Sequence, residues 1–209
     1  MALFGLGGSK STVALDIGSG LMKLVAVDHS KEEPVVSKVA VTPVLADAIV
    51  EGEIMDPGIV SDTIQGLVQT AGVKVKRVAV AVGGRDVIIK KIQVDRMKES
   101  DAYEVVRWEA QQHVPFDIEA VELDFQILDP EGEGLQMDVL LVAAKRDLVE
   151  DKLQLLSQAK LQAALVDVDA FALHNAFSVN YPDAEEGIVA LLNIGHEVTN
   201  VNIVDHGVP

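Results

Sequence analysis

Two similar stretches of sequence decide the fold. The first is Val13-Ala-Leu-Asp-Ile-Gly-Ser-Gly-Leu-Met-Lys-Leu-Val-Ala-Val-Asp28, and the second follows Gly187 and contains Asn193-Ile194-Gly195. When Asp16-Ile17-Gly18 is placed on Asn193-Ile194-Gly195, apolar residues of the two flanks coincide. Each copy reads as a strand, a tight glycine-containing turn and a second strand. The repeat therefore predicts a duplicated fold in which each half offers one loop to a shared ligand.

The composition limits the class of protein. Hydrophobic residues make up 49% of the 209 residues and aromatic residues only 4%, which predicts an aliphatic core like that of α/β sheets buried on both faces. No uncharged apolar run of about 18 residues occurs, so no transmembrane helix is expected. Residues 1–10 are too weakly basic for a signal peptide and are expected to form a flexible leader. The absence of cysteine excludes disulfides and agrees with a reducing cytoplasm.

The charge argues against a nucleic-acid partner. The chain has 33 acidic and 17 basic residues, a net charge of −16, and its Lys and Arg residues are scattered instead of forming a basic stripe. An acidic surface favours attraction to a basic partner segment.

The order of patterns predicts a first lobe over residues 11–84. After the first hairpin and a further strand, Asp56 is expected to cap a helix that has Pro57 in its first turn and Gly72 as its stop. The apolar residues at helical spacing, which predict its buried face, are Val60, Ile64, Leu67, Val68 and Ala71.

Residues 85–160 read as an inserted β-α-β-β-α subdomain. Ser100 is expected to cap its first helix, on which Trp108 is expected to lie in the core or at a subdomain contact. Its second helix is expected to begin near Asp147 and Glu150. The predicted buried face of that helix consists of Val149, Leu153 and Leu156.

The remaining residues complete the expected domain organisation. Residues 161–181 are assigned to the first lobe, residues 182–187 to a linker, and residues 188–209 to the start of a second lobe. Two strands cannot bury a core by themselves, so the second lobe is expected to be truncated in this chain or to pack on something else.

The first hairpin turn has the residues of a phosphate-binding loop. Gly18 and Gly20 leave backbone N–H groups open to an anion, and Ser19 adds a hydroxyl donor. Asp16 would repel phosphate, so its expected role is to hold a water molecule of a bridging Mg²⁺. Lys23 could neutralise phosphate charge. Together these residues predict one half of a nucleotide site.

The second turn offers Gly195, further backbone donors and the Thr199 hydroxyl. Its first position is Asn193, where the first loop has Asp16. Because an amide cannot act as an anionic metal partner or a base, any nucleotide hydrolysis is expected to be slow.

Other polar residues are weaker candidates. His113, His174 and His196 show no metal-ligand spacing, and we expect them to be ordinary polar residues. Asp169 could approach the cleft from a strand end, but we expect it to cap the following helix.

These residues resemble a known family. The two hairpins are similar to the phosphate loops of the actin, Hsp70 and sugar-kinase ATPases. Within the insert, Trp108-Glu-Ala-Gln-Gln-His-Val-Pro-Phe-Asp117, Val121-Glu-Leu-Asp-Phe-Gln-Ile-Leu128 and Val139-Leu-Leu-Val-Ala-Ala-Lys145 resemble the PilM family, actin-like cytoplasmic proteins of type IV pilus assembly related to the division protein FtsA.

The resemblance implies an α/β fold of the actin-like, ribonuclease-H-like class, with the insert on the first lobe. It implies a scaffold that binds ATP and Mg between its lobes and grips the N-terminal tail of PilN in a groove between the first lobe and the insert. Such proteins connect cytoplasmic motors to the inner-membrane platform, and they meet the membrane only through partners. The family's adenosine-binding motif lies in the second lobe, so we expect this chain alone to bind ATP weakly or not at all.

Two alternatives stay open at this point. One is an active ATPase or kinase of the same superfamily, which phosphate release would reveal. The other is an FtsA-like filament that tethers a polymer to the membrane, which would need a C-terminal amphipathic helix.

Overall fold

A computed structural model describes residues 11–209, and the expected leader lies outside the described residues. No helix within residues 11–209 has the length and apolarity needed to cross a membrane. The strands are β1 (Ser11–Ile17), β2 (Leu21–Asp28), β3 (Val35–Pro43), β4 (Ile49–Val50), β5 (Glu53–Ile54), β6 (Arg77–Val82), β7 (Val87–Asp95), β8 (Val121–Ile127), β9 (Gln136–Lys145), β10 (Gln162–Val168), β11 (Ile188–Ile194) and β12 (Thr199–Asp205). The helices are α1 (Pro57–Ala71), α2 (Glu99–His113), α3 (Arg146–Gln158) and α4 (Asp169–Asn180), with short 3-10 turns at Ile118–Ala120 and Pro182–Glu186.

The described chain divides into two compact units. Unit 1 consists of the described residues up to Gly83 together with Lys152–Pro209, and unit 2 consists of Gly84–Asp151.

Unit 1 is built on a five-stranded mixed sheet with the strand order β10-β6-β1-β2-β3. Strands β1, β2 and β3 form an antiparallel meander, whereas β6 lies parallel to both β1 and β10. The carboxyl ends of β1, β6 and β10 therefore meet at one edge of the sheet. This edge collects the polar residues that follow those strands.

Helix α1 forms where its sequence predicts it. The Asp56 carboxylate accepts a hydrogen bond from the Ile59 N–H at 3.0 Å, Pro57 occupies the first turn, and Gly72 ends the helix with φ of 64°. The predicted buried face is confirmed for Val60, Ile64, Leu67 and Ala71, whereas Val68 is only partly buried.

The buried face of α3 differs from the predicted one. Leu155 and Leu156 are buried in the core of unit 1, followed by Ala159 just beyond the helix end. Leu153, expected to be buried, is 40% exposed. The buried stripe is therefore rotated from the predicted one, and Lys152 lies one turn before Leu155 and Leu156 along it.

The β11–β12 ribbon has an unusual distribution of polarity. On one face, Asn202 donates a hydrogen bond to the Ala170 carbonyl of α4 at 3.0 Å, and Val204 is buried. The opposite face is exposed and mostly apolar, with Thr199 and Asp205 at its two ends. Its apolar residues are Ile188, Ala190, Leu192, Ile194, Val201 and Ile203.

Unit 2 packs α2 against one face of a three-stranded antiparallel sheet with the order β7-β9-β8. The helix contributes the small residues Ala102, Val106 and Ala110 to the core. Trp108, expected in the core or at a subdomain contact, is 60% exposed and is not part of the core of unit 2. The predicted Ser100 cap is also wrong, because the helix starts at Glu99 and Lys98 precedes it without a side-chain cap.

Arg96 fixes the connection between β8 and β9 in unit 2. Its guanidinium donates hydrogen bonds to the carbonyls of Asp129, Gly134 and Gln136, each at 2.9 Å, and to the Asp129 carboxylate. The same carboxylate accepts the Asp138 N–H at 2.8 Å. The planar Arg96 guanidinium, through its several N–H donors, thus holds this loop in place.

Candidate functional site

Three strand ends converge at the carboxyl edge of the unit 1 sheet. Asp16 lies near the end of β1, Gly83 follows β6, and Asp169 follows β10. The parallel register of these strands brings two carboxylates to one edge although they are far apart in sequence. The edge is therefore the natural place for a ligand in this unit.

The first loop keeps its predicted residues together. Asp16 and Lys23 are direct partners across the β1–β2 hairpin, and the Lys23 ammonium lies 2.7 Å from the Asp16 carboxylate. Ser19 lies partly buried in the turn between Gly18 and Gly20. A Cβ atom on Gly18 would lie 3.0 Å from the Leu21 carbonyl oxygen, so the turn is tight against its own backbone.

The second loop is a similar hairpin turn. The Gly195 N–H donates to the Val198 carbonyl at 3.0 Å, and a Cβ atom on Gly195 would lie 2.6 Å from the same oxygen. Asn193 pairs with Asn200 across the ribbon, and Thr199 starts β12 opposite Ile194. Glycine is required here because the neighbour is rigid backbone.

The two predicted loops lie against each other in unit 1. A Cβ atom on Gly20 would lie 2.8 Å from the Cβ and Cγ atoms of His196. Glu197 accepts a hydrogen bond from the Glu51 N–H at 2.7 Å, in the β4–β5 turn where Glu51 and Gly52 both have positive φ. The second loop thus contacts both the first loop, at Gly20, and the β4–β5 turn, at Glu51.

Asp169 belongs to this edge instead of capping α4. The helix begins at Asp169 itself and has no side-chain cap. A Cβ atom on Gly83 would clash with the Asp169 carboxylate, and the Asn200 side-chain amide donates a hydrogen bond to that carboxylate at 3.4 Å. Burial raises the pKa of Asp169; the Ala170 N–H opposes this change, the Asp16 charge adds to it, and Lys152 opposes it. The carboxylate is therefore held at an energetic cost, as functional groups often are.

Lys152 of α3 is a partly exposed cation whose pKa responds to these acids. Burial lowers the pKa of Lys152, and the charges of Asp16 and Asp169 oppose that shift. A shallow depression beside Asp169 is lined by Ala170, Leu173, Asn193, Asn200, Val201 and Asn202. The sequence prediction missed Lys152 because it assigned another face of α3 to the core. It preferred a capping role for Asp169 to a position in the cleft, because a carboxylate at the start of a helix resembles a cap.

The residues of this edge fit a magnesium-bound polyphosphate. Glycines at positions 18, 20 and 195 lie where a Cβ atom would meet neighbouring atoms, so their backbones form close turns. Across residues 11–209 no group of three or more His, Asp or Glu side chains could hold a metal ion. A divalent cation beside Asp16 would therefore take much of its oxygen shell from phosphate and water, as Mg²⁺ usually does.

Comparisons with known proteins agree with this architecture. Residues 14–208 match the family described as "Type IV pilus assembly protein PilM". The chain is similar to the solved PilM-PilN type IV pilus biogenesis complex, with a TM-score of 0.81 and 30% identity over 93% of this chain and 58% of that chain. This chain thus spans less than two thirds of the length of that relative.

A second solved structure shows the fold alone. It is the cytoplasmic domain of EpsL, an inner membrane component of the type II secretion system of Vibrio cholerae, with a TM-score of 0.56 and 14% identity over 93% of this chain and 71% of that chain. Together the similarities confirm the predicted actin-like α/β fold.

Proposed function

Because the chain belongs to the PilM family of type IV pilus assembly proteins, we propose that it is a cytoplasmic scaffold that binds the N-terminal tail of PilN. The observation that carries this proposal is the similarity to the PilM-PilN complex over 93% of the chain. The scaffold would meet the inner membrane only through PilN and would connect the platform there to the cytoplasmic motor components.

The charge of the chain supports a basic peptide partner. A net charge of −16 attracts a segment rich in Lys and Arg, and the cytoplasmic flank of a membrane span tends to be basic. An extended peptide also needs only main-chain hydrogen bonds and a few side-chain pockets. Binding of PilN by this chain should therefore need no nucleotide.

ATP with Mg²⁺ is proposed as a mainly structural ligand of the same protein. The backbone of Gly18, Ser19 and Gly20 would hold phosphate oxygens with Lys23, and Asp16 would hold a water of the metal ion. The second loop would contribute Gly195 and Thr199. Asn193 supplies an amide instead of a carboxylate at the corresponding position, which favours binding over efficient hydrolysis.

The test of the partner is a titration of a labelled PilN N-terminal peptide against the folded protein at low and high salt. We expect saturable binding that weakens as salt rises, because part of the attraction is screened charge. A scrambled peptide of the same composition controls for non-specific attraction and should bind more weakly. The absence of saturable binding by a folded chain would contradict the proposal.

The test of the nucleotide is the variant Asp16→Ala in a longer protein that carries a full second lobe, because this chain alone is expected to bind ATP weakly or not at all. There the variant should weaken Mg-dependent nucleotide binding and leave the affinity for the PilN peptide unchanged. Equal affinity of variant and wild type for Mg-ATP would rule out the role of Asp16 at the metal ion.

An ATPase is the second candidate function, and Asp169 is the observation that favours it. A carboxylate whose pKa is raised by burial can act as a base for an attacking water molecule. Phosphate release above background that Asp169→Asn abolishes would favour this function over a structural ligand.

A further inference from the structure

His196 of the second loop lies directly on the backbone of the first loop. A Cβ atom on Gly20 would lie 2.8 Å from both the Cβ and the Cγ of His196 and 3.3 Å from its Cδ2, so the imidazole side chain and Gly20 are in van der Waals contact. A group of the size of a phosphate does not fit between atoms that already touch. The side of Gly20 that faces the second loop is therefore occupied by a side chain of the protein itself.

The second loop differs from the first at the two positions that make its outside contacts. In the alignment of the two hairpins, His196 corresponds to Ser19 of the first loop. Glu197 corresponds to Gly20. Small residues leave backbone N–H groups open to an anion, whereas a carboxylate repels an anion. The two residues of the second loop thus suit closure onto a neighbouring element better than they suit contact with a phosphate.

Glu197 fixes the second loop to a separate element, the β4–β5 turn. Its carboxylate accepts a hydrogen bond from the Glu51 N–H at 2.7 Å. Glu51 and Gly52 have φ of 49° and 89° and lie between the paired residues Val50 and Glu53, which is the backbone of a two-residue hairpin turn with positive φ at both central positions. The N–H of the first central residue lies outside the strand ladder, so it is open to an acceptor such as this carboxylate.

We propose that His196 is a gate of the phosphate site. Its side chain closes the first loop at Gly20, and the hydrogen bond of Glu197 to the β4–β5 turn holds the closed position. A polyphosphate then binds between the loops only after the imidazole has left Gly20. This role rests on the proposed nucleotide function, and it gives the second loop a regulatory task in addition to its proposed phosphate contacts.

The closed position is weak enough to open. His196, Glu197 and Glu51 are all exposed, and a hydrogen bond at the surface contributes little net free energy because water replaces it when it breaks. A ligand that binds only the open state loses affinity in proportion to the fraction of molecules that are closed. Weakening the closed state therefore raises the affinity for the ligand.

The direction of this change separates a gate from other roles of His196. If the imidazole bound phosphate itself, its removal would lower the affinity for phosphate. If it only stabilised the fold, its removal would lower the free energy of unfolding and leave that affinity unchanged. A gate predicts a rise in affinity.

The experiment titrates the protein with tripolyphosphate in excess Mg²⁺, followed by isothermal titration calorimetry, because this probe needs no adenosine pocket. His196→Ala removes the imidazole ring. Glu197→Asp shortens the side chain and so breaks its hydrogen bond, without a change in the charge of the loop. His113→Ala and Glu104→Asp make the same two changes on α2 of unit 2 and serve as matched controls.

We expect His196→Ala to bind tripolyphosphate about tenfold more tightly than wild type, which corresponds to loops that are open in about one tenth of the molecules. Glu197→Asp should bind it about threefold more tightly, because it weakens only one of the two contacts of the second loop. The two controls should match wild type. Urea unfolding of each variant verifies that the titrated protein is folded.

Lys23→Met, which removes the cation of the first loop, distinguishes failure of the gate from failure of the site. If Lys23→Met loses affinity while His196→Ala binds as wild type does or more weakly, the gate is overturned and the phosphate site remains. If neither wild type nor His196→Ala binds tripolyphosphate at millimolar concentration, the gate and the nucleotide function of this chain are both wrong.

Discussion

The side chain of His196 packs directly against Gly20, so that a Cβ atom on Gly20 would lie 2.8 Å from both the Cβ and the Cγ of His196. We expect Gly20→Ala to lower the free energy of unfolding by about 1–3 kcal/mol, the usual cost of overpacking. His196→Gly removes the opposing atoms, so the double variant should recover part of this loss. A double-mutant cycle from urea unfolding measures the coupling.

Gly66 provides the matched control for this prediction. It lies exposed within α1, and a Cβ atom there would meet no heavy atom within 4 Å. Gly66→Ala should stabilise the protein by about 0.5–1 kcal/mol through helix propensity. If Gly20→Ala lowers the free energy of unfolding by the same amount with and without His196→Gly, the contact between the two loops is not the cause of the destabilisation.

Asp169→Asn should stabilise the protein at neutral pH. Folding raises the pKa of this carboxyl group, chiefly through burial, so the folded chain keeps its proton to higher pH than the unfolded chain. The ionised carboxylate therefore opposes folding as pH rises through the unfolded pKa towards the folded one. Urea unfolding between pH 4 and pH 8 should show a difference that grows with pH and then levels off. The exposed Asp62→Asn serves as the control and should show little difference, whereas a destabilised Asp169→Asn at pH 7 would contradict the prediction.

Asp129→Asn in unit 2 should destabilise the protein at neutral pH, whereas Asp169→Asn should stabilise it. Hydrogen bonds from Arg96 and from the Asp138 N–H lower the pKa of Asp129, so its stabilising contribution is present above the unfolded pKa and is lost as pH falls through the folded one. The variant should be less stable at pH 7 and should lose less stability on acidification. Fluorescence of Trp108, the single tryptophan of the chain, reports the unfolding of this unit.

Arg96→Lys is the companion variant for Asp129→Asn. It keeps the charge but loses the planar fork that reaches three carbonyls and the carboxylate, so it should also be less stable at pH 7. Asp138, whose pKa Lys91 lowers through a hydrogen bond, keeps some acid sensitivity in both variants. Acid unfolding of Asp129→Asn identical to that of wild type would contradict the role of Asp129.

Asn193→Asp should strengthen metal binding. Asn193 lines the depression beside Asp169, so a carboxylate there adds an anionic oxygen near the other acids. We expect the affinity for Mn²⁺ to rise by roughly fivefold, a modest share of one charge-assisted contact. Without metal the variant should be less stable, because like charges then lie close together. Gln69→Glu, the same charge change at an exposed position of α1, should change neither property.

Local patterns were enough to predict the hairpins and α1, because each depends on residues adjacent in sequence. The Asp56 cap, Pro57 and the Gly72 stop act within one helix. The face of α3 was not predictable in this way, because Val149, Leu153 and Leu156 form an equally regular apolar stripe. Only packing on the sheet selects the stripe that contains Lys152.

On α2 in unit 2, the size of a side chain did not predict whether it is buried. Trp108 is the largest side chain on α2, yet the face against the sheet is made of Ala102, Val106 and Ala110. Small residues let the helix approach the three strands closely, and such an approach leaves no room for an indole ring. Asp169 was misassigned for a related reason, since its surroundings come from the ends of β6 and β12, which are distant in sequence.

The exposed apolar face of the β11–β12 ribbon has a consequence for handling the protein. At neutral pH the net charge of −16 makes molecules repel one another and keeps these faces apart. Near the isoelectric pH, or in concentrated salt, that repulsion disappears while the apolar face and the open strand edges remain. The ribbon should therefore contribute to precipitation of the chain, and the tendency to associate should fall when a charged residue replaces Leu192 or Val201.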